Sequence, residues 1–303
     1  MVAVREFNQK ITLKVVPPLD PEFRPAALWR ASFNQLAQEL HGPTQVIAIM
    51  REHQTIFSTT VTLLPLDKEE YAELNFFFVE RTCKYLLWSK GGHTIFLPGQ
   101  KALAARLQNH YQTVRQFDQD LIGEQVYGQK LRFTAEDLPA VPAPHFPACK
   151  KQADGNRVGI DLGGSDRKFA AIKDGEVVHT GEIIWNPYHQ PDPHYHLTEI
   201  DDCIAQAAKY LDRVDAIGVS SAGIYVANEV KVGSLFRGVS KEDFKNKIAP
   251  LFKTLQKKWN NVPLVVANDG DVTALAAAYS SGQVPVLGVA MGTSLAAGYI
   301  NEN

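Results

Sequence analysis

The sequence predicts an α/β lobe with a mixed sheet, preceded by a smaller α+β domain. Three observations predict it. From Val158 to Gly298 apolar strand-like runs alternate with helical stripes, and polar, glycine-bearing segments follow the runs. That is the pattern of an α/β sheet with ligand groups at its strand ends. Residues 1–138 mix helices and short strands without that alternation. Between the two, Pro139, Pro142, Pro144 and Pro147 crowd ten positions, a composition that favours an extended, semi-rigid connector. The expected division is a domain over 1–138, a linker over 139–156 and a lobe over 157–303.

Composition narrows the class. A chain of 303 residues with 45% hydrophobic content can bury two ordinary cores. Its 31 Lys+Arg against 33 Asp+Glu leave a net charge of -2, without the basic excess that nucleic-acid or membrane-surface binding needs. Cys83, Cys149 and Cys203 are widely spaced and match no metal spacing; they read as free thiols in a reducing compartment. The start, Met1 to Asn8, lacks the apolar core of a signal peptide, and no apolar run reaches membrane-spanning length. A soluble, cytoplasmic protein with no nucleic-acid or membrane partner is expected, and a homo-oligomeric state is compatible with all of this.

In the first domain, Lys10–Val16 alternates enough for a strand, stopped by Pro17-Pro18. Leu28, Trp29, Phe33, Leu36, Ala37 and Leu40 form a helical stripe closed by His41-Gly42-Pro43. Gln45–Met50 and Thr55–Leu64 read as a hairpin, and Asp67 caps a long helix running to Trp88. Gly91-Gly92 ends that helix. His93–Leu97 is a strand, and Lys101–Ile122 a second long helix. His53, His93 and His110 show no ligand spacing, and Phe76, Phe77, Phe78, Tyr85 and Trp88 read as core. No role follows for this domain.

The lobe opens with an apolar run, Val158–Leu162, that carries Asp161, then Gly163-Gly164-Ser165-Asp166-Arg167-Lys168, then a second apolar run to Asp174-Gly175. This predicts two antiparallel strands around a tight glycine turn whose N–H groups converge on an anion, with Asp174-Gly175 as a hairpin turn. Asp161 beside that anion is useful mainly with a metal ion. Glu176–Trp185 supplies a third strand, and residues 186–196 a proline-rich loop. A helix over 197–211, a strand over 214–220 ending in Ser220-Ser221-Ala222-Gly223, and a helix over 241–259 interrupted at Pro250 follow. Val262–Ala267 is a strand into Asn268-Asp269, 272–279 a helix, and Val284–Met291 a strand into Gly292-Thr293-Ser294.

These segments resemble, in order, the conserved elements of a known family. Asp161–Lys168 looks like the first phosphate loop of the actin, hexokinase and heat-shock-70 superfamily. Within it, the chain most resembles the ROK group of repressors, open reading frames and sugar kinases. Ala216–Val226 is similar to the strand and turn beside the sugar site, Val265–Ala274 to the Asn-Asp element, and Val286–Gly298 to the second phosphate loop. The resemblance implies an actin-like, ribonuclease-H-like ATPase lobe and, in a complete form, an ATP-dependent carbohydrate kinase of glucokinase or hexokinase type acting on a hexose or related sugar hydroxyl. It implies that Asp269 is the catalytic base and that Asn268, Ser220, Ser221 and Gly223 bind sugar. Gly163, Gly164, Ser165, Lys168, Gly292, Thr293 and Ser294 would hold the phosphates of ATP, and Asp161 would orient Mg²⁺ through water. Arg167 is a weaker candidate for the phosphates.

Blander readings stay open at each position. Gly163 and Gly164 could serve only a tight hairpin. Asp269 could be a helix N-cap, with Asp271 as the alternative cap. Ser220 and Ser221 could be satisfied turn residues. His189, His194 and His196 could hold a metal, although loop histidines among prolines are more often solvated. The family's zinc segment and adenosine-binding segment lie beyond its second phosphate loop, and the chain ends at Asn303; a fragment of a longer protein is expected. The first domain lacks the compact basic helix-turn-helix of the family's repressors. A non-catalytic sugar sensor or scaffold, and an actin-like ATPase without a sugar substrate, are the alternatives.

Overall fold

The structure is a computed structural model that describes residues 2–52, 55–140, 154–291 and 295–301. It packs as two units, Met1–Pro147 and Ala148–Asn303.

In the first unit, α1 (Val2–Gln9) and α2 (Ala26–Glu39) precede the antiparallel pair β1 (Thr44–Met50) and β2 (Ile56–Thr62). Helix α3 (Ala72–Ser89), strand β3 (Thr94–Phe96) and helix α4 (Lys101–Thr113) follow. The unit closes with α5 (Gln116–Asp118), which continues as a π-helix over Gln119–Val126, and β4 (Arg132–Thr134). The sheet order is β2-β1-β3-β4, with β4 parallel to β3. Trp29, Phe33 and Phe78 stack in its core, as the aromatic pattern suggested.

Three expectations are corrected here. Residues 10–16 form no strand; the chain enters as α1, which buries Phe7 edge-on against Trp29 at 5.2 Å. Pro17 and Pro18 offer no N–H to a ladder, so the following stretch stays irregular. The second long helix breaks at Val114–Arg115, where Arg115 turns inward to the buried Glu80 carboxylate at 2.9 Å. Asp67 does not cap α3: a 3₁₀ turn over Glu69–Tyr71 leads into the helix.

The second unit is an α/β lobe with a mixed sheet. Its strands are β5 (Asn156–Leu162), β6 (Asp166–Lys173), β7 (Glu176–Ile184), β8 (Ala216–Ser221) and, after the small hairpin of β9 (Ile224–Val226) and β10 (Glu229–Val232), β11 (Leu264–Asn268). The order is β11-β8-β5-β6-β7. β5 runs parallel to β8 and antiparallel to β6, and β8 runs parallel to β11. The Asp174-Gly175 turn has φ of 50° and 86°, the left-handed pair that a two-residue hairpin needs. The β9–β10 hairpin was not foreseen; its Asn228 side chain bonds the backbone of Leu264 and Val266 and so satisfies the outer edge of β11.

Period-two alternation divides the sheet faces. Val158, Ile160, Leu162, Phe169, Ala171, Ile217, Val219, Leu264 and Val266 are buried in one core. Helices α6 (Pro193–Ala208) and α8 (Leu251–Lys258) share that core through Ile200, Ile204 and Leu255. Helix α6 starts earlier than the proline-rich sequence suggested, because Asp192 caps it and Pro193 occupies its first turn. Helix α7 (Lys241–Asp243), continued as a π-helix over Phe244–Ile248, and α8 are separated at Pro250, as expected. Helix α9 (Asp269–Ser281) packs on the hairpin of β12 (Val286–Met291) and β13 (Leu295–Ile300). Contact there is backbone to backbone: a Cβ on Gly298 would lie 2.4 Å from Asp271 Cα. No described helix is long and apolar enough to cross a membrane.

His196 is fully buried in α6 between Trp185, Tyr195 and Phe236, with no hydrogen bond to either ring nitrogen among the described residues. Burial lowers its pKa, opposed in part by the nearby Gln190 backbone. A histidine with a depressed folded pKa contributes stability that is complete above about pH 6.5 and is lost as pH falls toward the folded value. His196→Leu should therefore flatten the fall in unfolding temperature on acidification below about pH 6.5. An unchanged slope would assign the acid sensitivity to other groups.

Candidate functional site

Three connections leave the sheet at one edge, because β5, β8 and β11 run parallel. They are the turn 163–165, the segment Ala222-Gly223, and the junction of β11 with α9 at Asn268–Asp269. On the face opposite the core, register sets one row across four strands: Glu182, Lys168, Asp161 and Ser220 are successive cross-strand partners, each about 5 Å from the next. Ala267 continues the row on β11.

The glycine turn is rigid. Gly163 N–H donates to the Asp166 carbonyl at 2.9 Å, and the Trp185 indole donates to the Gly163 carbonyl at 2.8 Å. Neither Gly163 nor Gly164 has positive φ, so left-handed backbone is not why glycine stands here. Close approach explains position 164: a Cβ there would lie 2.2 Å from the Tyr188 hydroxyl. The N–H groups of Gly164 and Ser165 have no hydrogen-bond partner among the described residues. Two open backbone donors on a braced turn suit an anion.

Charge near that turn is mostly negative. Ser165 Oγ donates to Asp166 Oδ2 at 2.8 Å, and Lys168 Nζ binds Asp166 Oδ1. The Lys168 hydrogen bond holds Asp166 below the usual carboxylate range, and Asp166 in turn raises Lys168. Asp161, Asp166 and Glu182 thus face a single ammonium. An incoming phosphate would be repelled unless a divalent cation came with it. Among the described residues no group of three or more His, Cys, Asp or Glu could hold a metal alone. Asp161 with phosphate oxygens and water fits the way Mg²⁺ is usually held, through one or two carboxylates and substrate phosphates. Arg167 is excluded: its side chain is 2% exposed, on the core face, with Glu199 and 5.7 Å over the Trp185 ring.

One residue past Ala267, Asn268 caps α9. Its Oδ1 accepts from Gly270 N–H at 2.8 Å, and its Nδ2 donates to the Gly223 carbonyl at 2.9 Å. The cap is Asn268, not Asp269 or Asp271. Gly223 is glycine of necessity, with φ 144° and a hypothetical Cβ 2.4 Å from the Val232 carbonyl. Asp269 opens α9, half-buried; Oδ1 accepts from Gly270 N–H at 3.1 Å, and Oδ2 has no partner among the described residues. Burial pushes the Asp271 carboxyl up, with the charge of Asp269 adding to it. Burial likewise raises Tyr225, with Asp269 contributing.

Ser220 and Ser221 separate. Ser220 lies on the open face beside Asp161. Ser221 is fully buried on the core face, with its Oγ 2.8 Å from the Tyr225 hydroxyl; strand alternation turns neighbours apart, so it does not face the row with Ser220. Gly292, Thr293 and Ser294 lie outside the described residues. His194 is exposed on α6 and His196 buried, and neither belongs to a ligand set among the described residues.

A cavity of about 1070 Å³ opens over this face. Asp161, Lys168 and Ser220 line it, together with Gly159 and Gly218 on the strands and Thr273 on α9. It extends along the sheet, farther than the strand-end position that the sequence predicted. Sequence reasoning missed Tyr188 and Arg237: the guanidinium of Arg237 stacks 4.1 Å over the Tyr188 ring and has no carboxylate partner among the described residues. The proline-rich loop hid Tyr188, because its composition reads as solvated.

No family model and no curated protein matches the chain. Solved structures do. The ROK hexokinase from Thermus thermophilus is 17% identical, with a TM-score of 0.38 over 48% of this chain and 46% of that one. A glucokinase from Parabacteroides distasonis is 19% identical, with a TM-score of 0.37 over 50% and 46%. A ROK-family transcriptional regulator, a homologue of the E. coli MLC protein, is 22% identical, with a TM-score of 0.35 over 48% and 37%. The chain spans less than half the length of each of these three.

The Asn268 side chain holds two segments together, and its two roles are separable. Asn268→Ala should destabilise the lobe by about 1 kcal/mol, with faster hydrogen exchange at Gly270. Asn268→Asp keeps the cap acceptor but loses the donor to the Gly223 carbonyl, so it should restore Gly270 protection and recover only part of the lost stability. Loss of Gly270 protection in Asn268→Asp as large as in Asn268→Ala would contradict this division.

Proposed function

We propose that the second unit is the nucleotide- and sugar-binding lobe of a ROK-type sugar kinase, transferring the terminal phosphoryl group of ATP to a hexose hydroxyl with Mg²⁺. The observation that carries the reading is that Asp161 and Ser220 pair across β5 and β8 at the sheet edge where β11 runs into Asp269, beside a turn with two N–H donors that have no partner among the described residues.

Phosphoryl transfer through a loose transition state needs mainly positioning and charge stabilisation. Gly164 and Ser165 N–H would donate to phosphate oxygens, and the preorganised turn costs no rearrangement when they do. Asp161 would hold the hydrated cation, which neutralises phosphate charge when bound. The free Oδ2 of Asp269 is a suitable acceptor for the proton of an attacking hydroxyl. Asn268 retains one amide hydrogen and one oxygen lone pair beyond its structural bonds, enough to orient a neighbouring sugar hydroxyl, and the carbonyl side of Gly223 is fixed for the same purpose. Ser220 would bind substrate; Ser221 supports Tyr225 instead. Lys168 would counter phosphate charge once released from Asp166. Thr293 and Ser294, with Gly292, would form the second phosphate contact. A cytoplasmic setting, with ATP and sugar as the ligands of this unit, agrees with this chemistry.

One observation favours a second reading, a non-catalytic sugar sensor or scaffold: both polar atoms of Asn268 already serve the fold. Stabilisation of the protein by sugar without any by MgATP would support that alternative. For the kinase reading, ATP turnover should depend on an added hexose. Asp269→Asn should lower kcat by about 10²–10⁴-fold while sugar still raises the unfolding temperature. Turnover at the wild-type rate in Asp269→Asn would rule out the base, and turnover independent of sugar would favour a plain ATPase.

A further inference from the structure

The first unit holds a second cavity, of about 360 Å³, among α1, α2 and α3. Its wall is aromatic. Trp29, 7% exposed, is fixed by stacking on Phe33 and by Phe77 edge-on at 5.0 Å; its indole N–H donates to Asn8 Oδ1 at 2.9 Å. Its rim is cationic. Arg24, Arg30 and Arg81 line the cavity, and no acidic residue does.

The three guanidiniums are incompletely compensated. Arg24 is held by neutral acceptors only: Nε donates to the Asn8 carbonyl at 2.8 Å, and Nη1 to the carbonyls of Pro21 and Phe23. These bonds fix its direction, and its charge has no carboxylate partner among the described residues. Arg30 has no carboxylate partner among the described residues. Arg81 grips Glu80 through Nε and Nη2, but Glu80 also serves Arg115 at 2.9 Å, one acid for two cations. Arg81 Nη1 and Arg24 Nη2 have no partner among the described residues. Arg81 also lies 5.9 Å over the Phe77 ring, on the aromatic wall. The hydroxyl of Tyr85, 58% exposed at the rim, has no partner among the described residues either.

Guanidinium N–H groups left open recognise phosphate or carboxylate, and the half-buried Phe77, beside the exposed edge of Trp29, offers apolar surface to a ring. The volume is at the small end of ligand sites, about 300–1,000 Å³. We infer that this cavity binds a small ring-bearing organic anion, an aryl phosphate or aromatic carboxylate, with its anionic group on Arg24, Arg30 and Arg81 and its ring against Trp29 and Phe77. The site belongs to the first unit alone and does not depend on the chemistry of the second.

The full chain is titrated calorimetrically with phenyl phosphate and with benzoate, and with phenol and inorganic phosphate as half-ligands. At least one of the two whole ligands should bind saturably, tighter than either half, with affinity falling as salt rises; whichever binds better identifies the anionic group. Arg30→Gln, at an exposed position, should weaken that binding about tenfold without altering the unfolding temperature. Tyr85→Ala is a second exposed variant that should also weaken it. No saturable binding of either ligand up to millimolar concentration, or equal binding in wild type and both variants, would overturn the inference.

Discussion

The two-sided character of β5 is the constraint on which the second unit depends. It pairs with β6 on one side and β8 on the other, so its alternation dictates what each face of the sheet carries. Val158, Ile160 and Leu162 anchor the core, leaving Gly159 and Asp161 to the opposite face. Burying three aliphatic side chains contributes several kcal/mol at about 1.5–3 kcal/mol each. That energy holds Asp161 in its register between Lys168 and Ser220; a one-residue slip would send the carboxylate into the core. Fold stability and site geometry are therefore set by the same strand.

How much of this was legible in the sequence follows from the range of the interactions involved. Strands β5, β6, β8, β11 and β12 read directly, because each contains a short apolar run bounded by small or polar residues. Asp174-Gly175 read correctly because its turn type demands those residues. The β9–β10 turn did not: Ala227 takes φ 50°, a conformation that alanine rarely adopts. Helix α1 was invisible because its stability comes from Phe7 meeting Trp29 across the fold. The separate fates of Ser220 and Ser221 follow from alternation alone, yet a run of small residues does not announce which face is buried.

The site was legible as a set of segments and less so as atoms. The turn at 163–165 and the Asn268–Asp269 junction fall at the predicted edge, but the reasons for particular residues differ. Gly164 makes room for Tyr188, and Asn268 spends its amide on Gly223 and α9. Such long-range contacts leave no local signature. In the first unit Phe78 is core as its aromatic run suggested, but Tyr85 and Trp88 of the same expected core are exposed, and the uncompensated arginines depend on three helices meeting.

The central proposal is that the open face of the second unit would bind a nucleotide phosphate only together with a divalent cation, because Asp161, Asp166 and Glu182 outnumber Lys168 there. The most direct measurement is calorimetric titration of the full chain with ADP in Mg²⁺ and in chelator, on wild type and Asp161→Asn. The account predicts that binding requires Mg²⁺ in the wild type and that Asp161→Asn weakens the Mg²⁺-dependent component. Equal ADP affinity with and without Mg²⁺, unchanged by Asp161→Asn, would contradict it.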